Sequence, residues 1–192
     1  MPADQMVMDE YLDGVIQTIA ALPRQPMLEI IAILRKAQEQ QKQIFVFGNG
    51  GSSATASHMA NDLVKNTRSS GLPLMRVISL SDNMALFSAF ANDEGYENVF
   101  AQQLRSLANS GDIAIAISGS GNSPNVLKAI ETARQMGLTT IGLGGFAGGK
   151  MKDAVDICLV APCDNMEQIE DIHLVINHVL ASVLRLPISV SV

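Results

Sequence analysis

Three hydroxyl side chains, Ser118, Ser120 and Ser123, are interleaved with Gly119 and Gly121 directly after the apolar run 113–117. Glycine lets the backbone approach a ligand closely, and the free N–H groups at a helix start complement an anion. Serines in that setting make a neutral cradle for a phosphate. Upstream, Gly48-Asn49-Gly50-Gly51-Ser52 follows a second apolar run, 44–47. Its Asn and Ser supply hydrogen bonds suited to hydroxyls. The stretch is neither the dinucleotide fingerprint, because residue 53 is Ser, nor a P-loop, because no Gly-Lys-Ser/Thr follows. Alone it reads equally well as a tight strand-to-helix turn. The two turns together point to a phosphorylated, hydroxyl-rich small molecule.

Titratable groups follow at helical spacing. His58 and Asp62 are an i, i+4 pair on one helical face, just beyond the first glycine turn. They suit metal ligation or acid/base work, and a solvated helix face is the plain alternative. Near the C-terminus stand Glu170, Asp171, His173 and His178. His173 and His178 lie about 140° apart around a helix, so both cannot serve one site. Glu170 and His178 differ by about 80°, close enough to converge on a pocket. Spacing alone leaves open which histidine is packed in the core.

The elements that must position these groups alternate. Residues 6–22 carry apolar positions at spacings of three and four, which predicts an amphipathic helix. Pro23 and Pro26 break it, and a second helix follows with Leu28, Ile31, Leu34 and Ala37 on one face. Strands are predicted at 44–47, 76–80, 113–117, 139–143 and 155–160. Helices are predicted after each glycine turn, from 82–83 to about 90, through Val99 to Leu107, and over 166–186. Residues 66–73, 91–95 and 144–149 read as loops or turns. The unbroken apolar strand at 113–117 suits a parallel sheet covered on both faces. The fold class is α/β: a three-layer α/β/α doubly wound sheet of about five parallel strands, with an N-terminal helical extension. One domain spans 1–192, with helices over 1–40 and the α/β core over 43–192.

Composition excludes several classes. Of the 192 residues, 47% are apolar, enough for a full core. The net charge is −6, with no basic run, which argues against nucleic acid as ligand. No apolar run reaches the roughly 18 residues of a membrane span, and the first residues lack a signal-peptide pattern. Cys158 and Cys163 have neither framework nor metal-pair spacing and read as reduced thiols. The two N-terminal helices exceed what a minimal α/β unit needs, so they cover the sheet or form a subunit interface.

Taken together, the chain resembles the SIS (sugar isomerase) domain family, and within it is similar to the phosphoheptose isomerases. The motifs are Gly48-Asn49-Gly50-Gly51-Ser52, Ala91-Asn92-Asp93, the 117–123 serine turn, Gly148-Gly149-Lys150-Met151, and the Gln168-to-His173 stretch running on to His178. The resemblance implies a cytoplasmic homotetramer with sites between subunits. It implies that Ser118, Gly119, Ser120 and Ser123 hold a phosphate, and that Asn49, Gly50, Gly51, Ser52, Asn92, Asp93 and Glu170 hold the rest of a sugar. It implies aldose–ketose isomerisation of sedoheptulose 7-phosphate through an enediol, with Asp62 as base and His178 as acid. A zinc site is implied at His58, Asp62, Glu170 and His178. Two positions depart from the family: its catalytic glutamate falls at Asp62, and its usual glutamine falls at Glu170. The shorter Asp removes roughly 1.5 Å of reach. The alternatives are a non-catalytic sugar-phosphate-binding or partner-binding module of the family, and an isomerase for another sugar phosphate. The former lacks the acid and base that this chain keeps at 62 and 178.

Overall fold

The computed structural model describes residues 2–68 and 71–187. Residues 69 and 70 of the expected loop at 66–73 lie outside that set. Five strands, β1 (Gln43–Gly48), β2 (Arg76–Ser79), β3 (Ile113–Ser118), β4 (Thr139–Gly144) and β5 (Ile157–Val160), form one parallel sheet in the order β2-β1-β3-β4-β5. The period of two along a strand sorts the side chains between two cores. Ile44 and Val46 of β1, with Ile113, Ile115 and Ile117 of β3, point to one face. Phe45 and Phe47, with Ala114 and Ala116, point to the other. This double burial explains why β1 and β3 read as continuous apolar runs.

The first face is covered by α2 (Arg24–Glu39), α3 (Gly51–Asn66) and α8 (Met166–Leu184), with α1 (Ala3–Ala21) laid against α8. The second is covered by α4 (Met84–Glu94), α5 (Ala101–Leu107), α6 (Pro124–Gln135) and the one-turn α7 (Met151–Ala154). Pro at the first position of α6 fits, because that N–H has no helical partner. Tyr11 Oη donates to Asp171 at 2.6 Å, a bond that pushes the phenol up to about 12 and anchors α1 on α8.

Several expectations needed correction. On α2 the buried face is Met27, Ile30, Ile31 and Leu34, while Leu28 is exposed. A row of three-residue steps starting at Leu28 drifts around the helix by about 60° per step, so its first member falls off the core face. Residues 91–94, expected as a turn, are the last turn of α4, which stops at Gly95 in a positive-φ conformation. The final strand begins at Ile157, because residues 155 and 156 form the bend that leads out of α7, which ends at Ala154.

Strand order places the functional end. The chain steps from β1 outward to β2, then returns to lay β3 on the other side of β1. In a doubly wound sheet the crevice at the carboxyl ends of such strands is where ligands bind. β1 and β3 each end there, and each ends on a glycine turn.

Candidate active site

The serine turn closes on itself through weak, local bonds. Ser118 Oγ accepts from Gly121 N at 3.2 Å and lies 3.4 Å from Ser123 Oγ. Ser120 Oγ accepts from Asn122 N at 3.3 Å. A cavity of about 200 Å³ opens over the turn, lined by Ser118, Gly119, Ser120 and Ser123, by Asn49 and Ser52 of the first turn, and by Glu170. The N-terminus of α6 starts at this turn, so its partial positive charge lies beside the hydroxyls. Among the described residues, no cationic side chain lines the cavity.

The first turn presents Asn49, half-buried, between that cavity and a second of about 180 Å³ lined in part by Ser53, Ser81, Phe87 and Tyr96. Asn49 Nδ2 donates to Asn125 Oδ1 at 2.9 Å, Asn125 Nδ2 donates to Asn49 Oδ1 at 2.8 Å, and Tyr96 Oη donates to Asn49 Oδ1 at 3.1 Å.

His58, Asp62 and His178 meet where α3 and α8 pack side by side. His58 Nε2 lies 3.2 Å from Asp62 Oδ2, His178 Nε2 lies 3.6 Å from the same oxygen, and the two Nε2 atoms are 3.1 Å apart. Asp62 is buried, whereas the histidine side chains are 43% and 52% exposed. Three amides fix the carboxylate: Asn177 Nδ2 donates to Oδ2 at 3.0 Å, and Asn66 Nδ2 and Asn61 Nδ2 donate to Oδ1 at 3.0 and 3.3 Å. The buried carboxylate is therefore oriented by the protein, and the exposed imidazoles are open to solvent or ligand.

Among the described residues these three are the group whose donor atoms lie within 4.8 Å of one another. Glu170 stands apart: its carboxylate rests against Gly51, where a Cβ would meet it at 2.4 Å, and it lines the serine cavity. Eight residues on a helix are about 12 Å of rise, so the angle shared by Glu170 and His178 does not bring them level. Asn92 and Asp93 are exposed at the end of α4, with Asn92 Nδ2 donating to Asp93 Oδ1 at 2.7 Å, and line neither cavity. His173 is the core histidine. It is fully buried, with Nε2 donating to the Gly144 carbonyl at 3.0 Å. Burial pushes its pKa down, and the bond to Gly144 works the other way.

Sequence reasoning missed Asn177, Asn66, Asn125 and Tyr96. A signal existed for Asn177: it lies four residues after His173, in phase with the apolar face of α8. A polar residue at a core phase asks for a buried partner.

A parallel α/β/α sheet with a serine-lined cavity at its switch point, and a buried carboxylate between two imidazoles in the α3–α8 groove, defines a doubly wound α/β domain with a polar, titratable site. The SIS domain model matches residues 10–145. The phosphoheptose isomerase of Helicobacter pylori (strain P12) is 36% identical over 185 residues, covering 95% of each chain. That of Nitratiruptor sp. is 42% identical over 149 residues, 78% of this chain and 79% of the relative. The solved phosphoheptose isomerase of Francisella tularensis superposes with a TM-score of 0.86 at 29% identity, covering 94% of this chain and 95% of that one. The chain belongs to the SIS domain family, in its phosphoheptose isomerase branch.

Proposed function

We propose that this protein is an aldose–ketose isomerase that interconverts sedoheptulose 7-phosphate and D-glycero-D-manno-heptose 7-phosphate. The observation that carries the reading is the convergence of His58, Asp62 and His178 in the α3–α8 groove, down the same helices from the serine cavity. Ser52, at that cavity, precedes His58 by six residues, which is about 9 Å of helical rise. An open seven-carbon chain spans about 9 Å from its phosphorus to C2, at roughly 1.25 Å per bond. A phosphate seated on Ser118, Ser120 and Ser123 thus runs the chain down the groove toward His58, with Asn49, Gly50, Gly51, Ser52 and Glu170 facing it; Asp62 and His178, ten residues past Ser52 and eight past Glu170, reach back toward it, because helical side chains tilt toward the N-terminus.

In the open-chain ketose, Asp62 takes a proton from C1, leaving an enediolate, and the O1 hydroxyl proton passes to O2. His178 then gives a proton to C2, yielding the aldose, and the proton held by Asp62 passes to His178, 3.6 Å away, restoring both groups. Substrate and product are isomers, so no redox partner is consumed. Proton transfer by positioned groups of this kind contributes about 10²- to 10⁴-fold each. A non-catalytic module needs none of this arrangement.

The donor set also fits zinc. Three N/O donors with an open fourth position match a catalytic zinc site, and bonds of about 2.0–2.1 Å imply ligand–ligand edges of about 3.3–3.4 Å. The separations of 3.1, 3.2 and 3.6 Å bracket that value. His58, Asp62 and His178 would hold the ion, in which case Asp62 and His178 are ligands rather than free base and acid, and Glu170 would reach it only by turning away from Gly51. When bound, zinc supplies Lewis-acid polarisation of the substrate oxygens.

Met8, Leu12 and Ile16 form an exposed row at four-residue spacing on α1. A second copy of the chain covers it in our reading, giving a homotetramer that closes the half-open groove. No helix among the described residues is long and apolar enough to cross a membrane, and both cysteines are free. On the resemblance we place the protein in the cytoplasm. The test is an isomerase assay across five-, six- and seven-carbon sugar phosphates, with and without chelator. The seven-carbon pair should give the highest kcat/KM. Turnover of none of them overturns the reading.

A further inference from the structure

We infer that Asn125 is a positioning residue for this reaction. It latches the two glycine turns to each other and sets the face that Asn49 shows to the substrate. The inference rests on the reading of Asn49 as a sugar-holding residue.

The argument starts from polarity. The backbone N–H of Val126 donates to Asn125 Oδ1 at 3.0 Å, and an N–H requires an acceptor, so the Asn125 amide has one orientation. Its Oδ1 then accepts from Asn49 Nδ2, and its Nδ2 donates to Asn49 Oδ1. Tyr96 Oη donates to that same Oδ1 from the other side. Both acceptor directions of Asn49 Oδ1 are therefore taken, and one N–H of its Nδ2 is used. What Asn49 has left is a single N–H, which suits a hydroxyl or carbonyl oxygen. Were the amide reversed, two N–H groups would face each other at Asn125 Nδ2, and Tyr96 would become the acceptor.

The latch is built into the core. Asn125 is 1% exposed, and the pair is 76 residues apart in the chain. It ties the turn after β1 to the start of α6 behind the serine turn. Asn49 lines both cavities. The group that grips the phosphate and the group that faces the sugar are thus held at a fixed spacing. Effective positioning of this kind is lost with displacements on the order of 1 Å, at up to about 10²-fold in rate.

Asn125→Ser keeps a short oxygen for Val126 N–H but cannot reach Asn49. In an otherwise wild-type protein it should lower kcat/KM for the seven-carbon phosphate about tenfold. Inhibition by inorganic phosphate, which engages the serine turn alone, should stay within about twofold. In an Asn49→Ala background, Asn125→Ser should change kcat/KM by less than about twofold, because its route of action is gone. Tyr96→Phe, at an exposed position that cannot unfold the protein, should lower kcat/KM about threefold and be silent in the same background. Additive effects in the double variants, or a matching loss of phosphate inhibition, overturn the inference while leaving the isomerase reading intact. A wild-type protein inactive on every sugar phosphate overturns both.

Discussion

The two glycine turns share one plan, strand to turn to helix, at the ends of adjacent strands, yet they are braced differently. The turn after β3 is locked against the segment after β4. Gly145 N donates to Gly119 O, Met151 N to Gly121 O, and Lys150 N to Asn122 Oδ1. A Cβ at Gly121 would lie 2.0 Å from the Gly148 carbonyl. The turn after β1 is open on its solvent side: at Gly50 a Cβ would meet nothing within 4 Å. The helices they launch differ in the same sense. The first two turns of α6 carry one charge, Lys128, whereas α3 leads to His58 and Asp62. On the proposed function, the turn that would grip the unreacting phosphate is held rigid and neutral, and the turn that would feed the reacting end is left accessible and followed by titratable groups.

Separating the two ends by mutation gives the largest effects. His178→Gln should cut turnover by about 10²- to 10⁴-fold, the range of a lost general acid, while leaving the dissociation constant for the sugar phosphate nearly unchanged. Ser120→Asp should do the reverse. A carboxylate about 4 Å from a phosphate charge costs about 4 kcal/mol at an effective dielectric of 20, or about 10³-fold in affinity. Calorimetry on both variants checks the division. If His178→Gln abolishes binding as well, gripping and reacting are not separate tasks here.

The bracing itself is tested by alanine. Gly50→Ala and Gly121→Ala both force a side chain into positive φ, at about 1–3 kcal/mol each. Only at Gly121 does the new methyl also strike backbone. In urea unfolding Gly121→Ala should therefore cost more than Gly50→Ala. Equal losses would mean that the second turn yields as easily as the first.

What the sequence made legible follows from which forces are local. Apolar runs of four to five residues between turn signals located β1 and β3, and the i, i+4 spacing put His58 and Asp62 on one face. The turn expected at 91–95 failed because Asn92 and Asp93 are turn formers by propensity, while Phe87 and Phe90 pack α4 down against the second core and carry it on to Gly95. The amide partners were invisible for a different reason. Asn125 and Asn177 find their partners 76 and 115 residues away, and no spacing rule reaches across that distance.

The smallest effect sharpens the contrast between histidines. His173 braces the closed side: its Nε2–H donates to Gly144 O, one residue before the Gly145 amide that holds Gly119. Its Nδ1 is buried without a partner, so a second proton would enter the core with nothing to accept it. Burial accordingly pushes its pKa below the usual value near 6.5. In the unfolded chain the same imidazole takes its proton near 6.5. Below that pH the unfolded state binds more protons than the folded one, so stability falls as pH falls, by up to about 1.4 kcal/mol per pH unit, until the folded-state pKa is reached. His173→Gln keeps a donor for Gly144 O but does not titrate. The wild type should be the more stable near pH 7.5, and its lead should shrink steadily toward pH 5. Parallel stability curves over that range would show that His173 takes its proton in the folded protein as readily as in the unfolded chain, and that the bracing side tolerates charge after all.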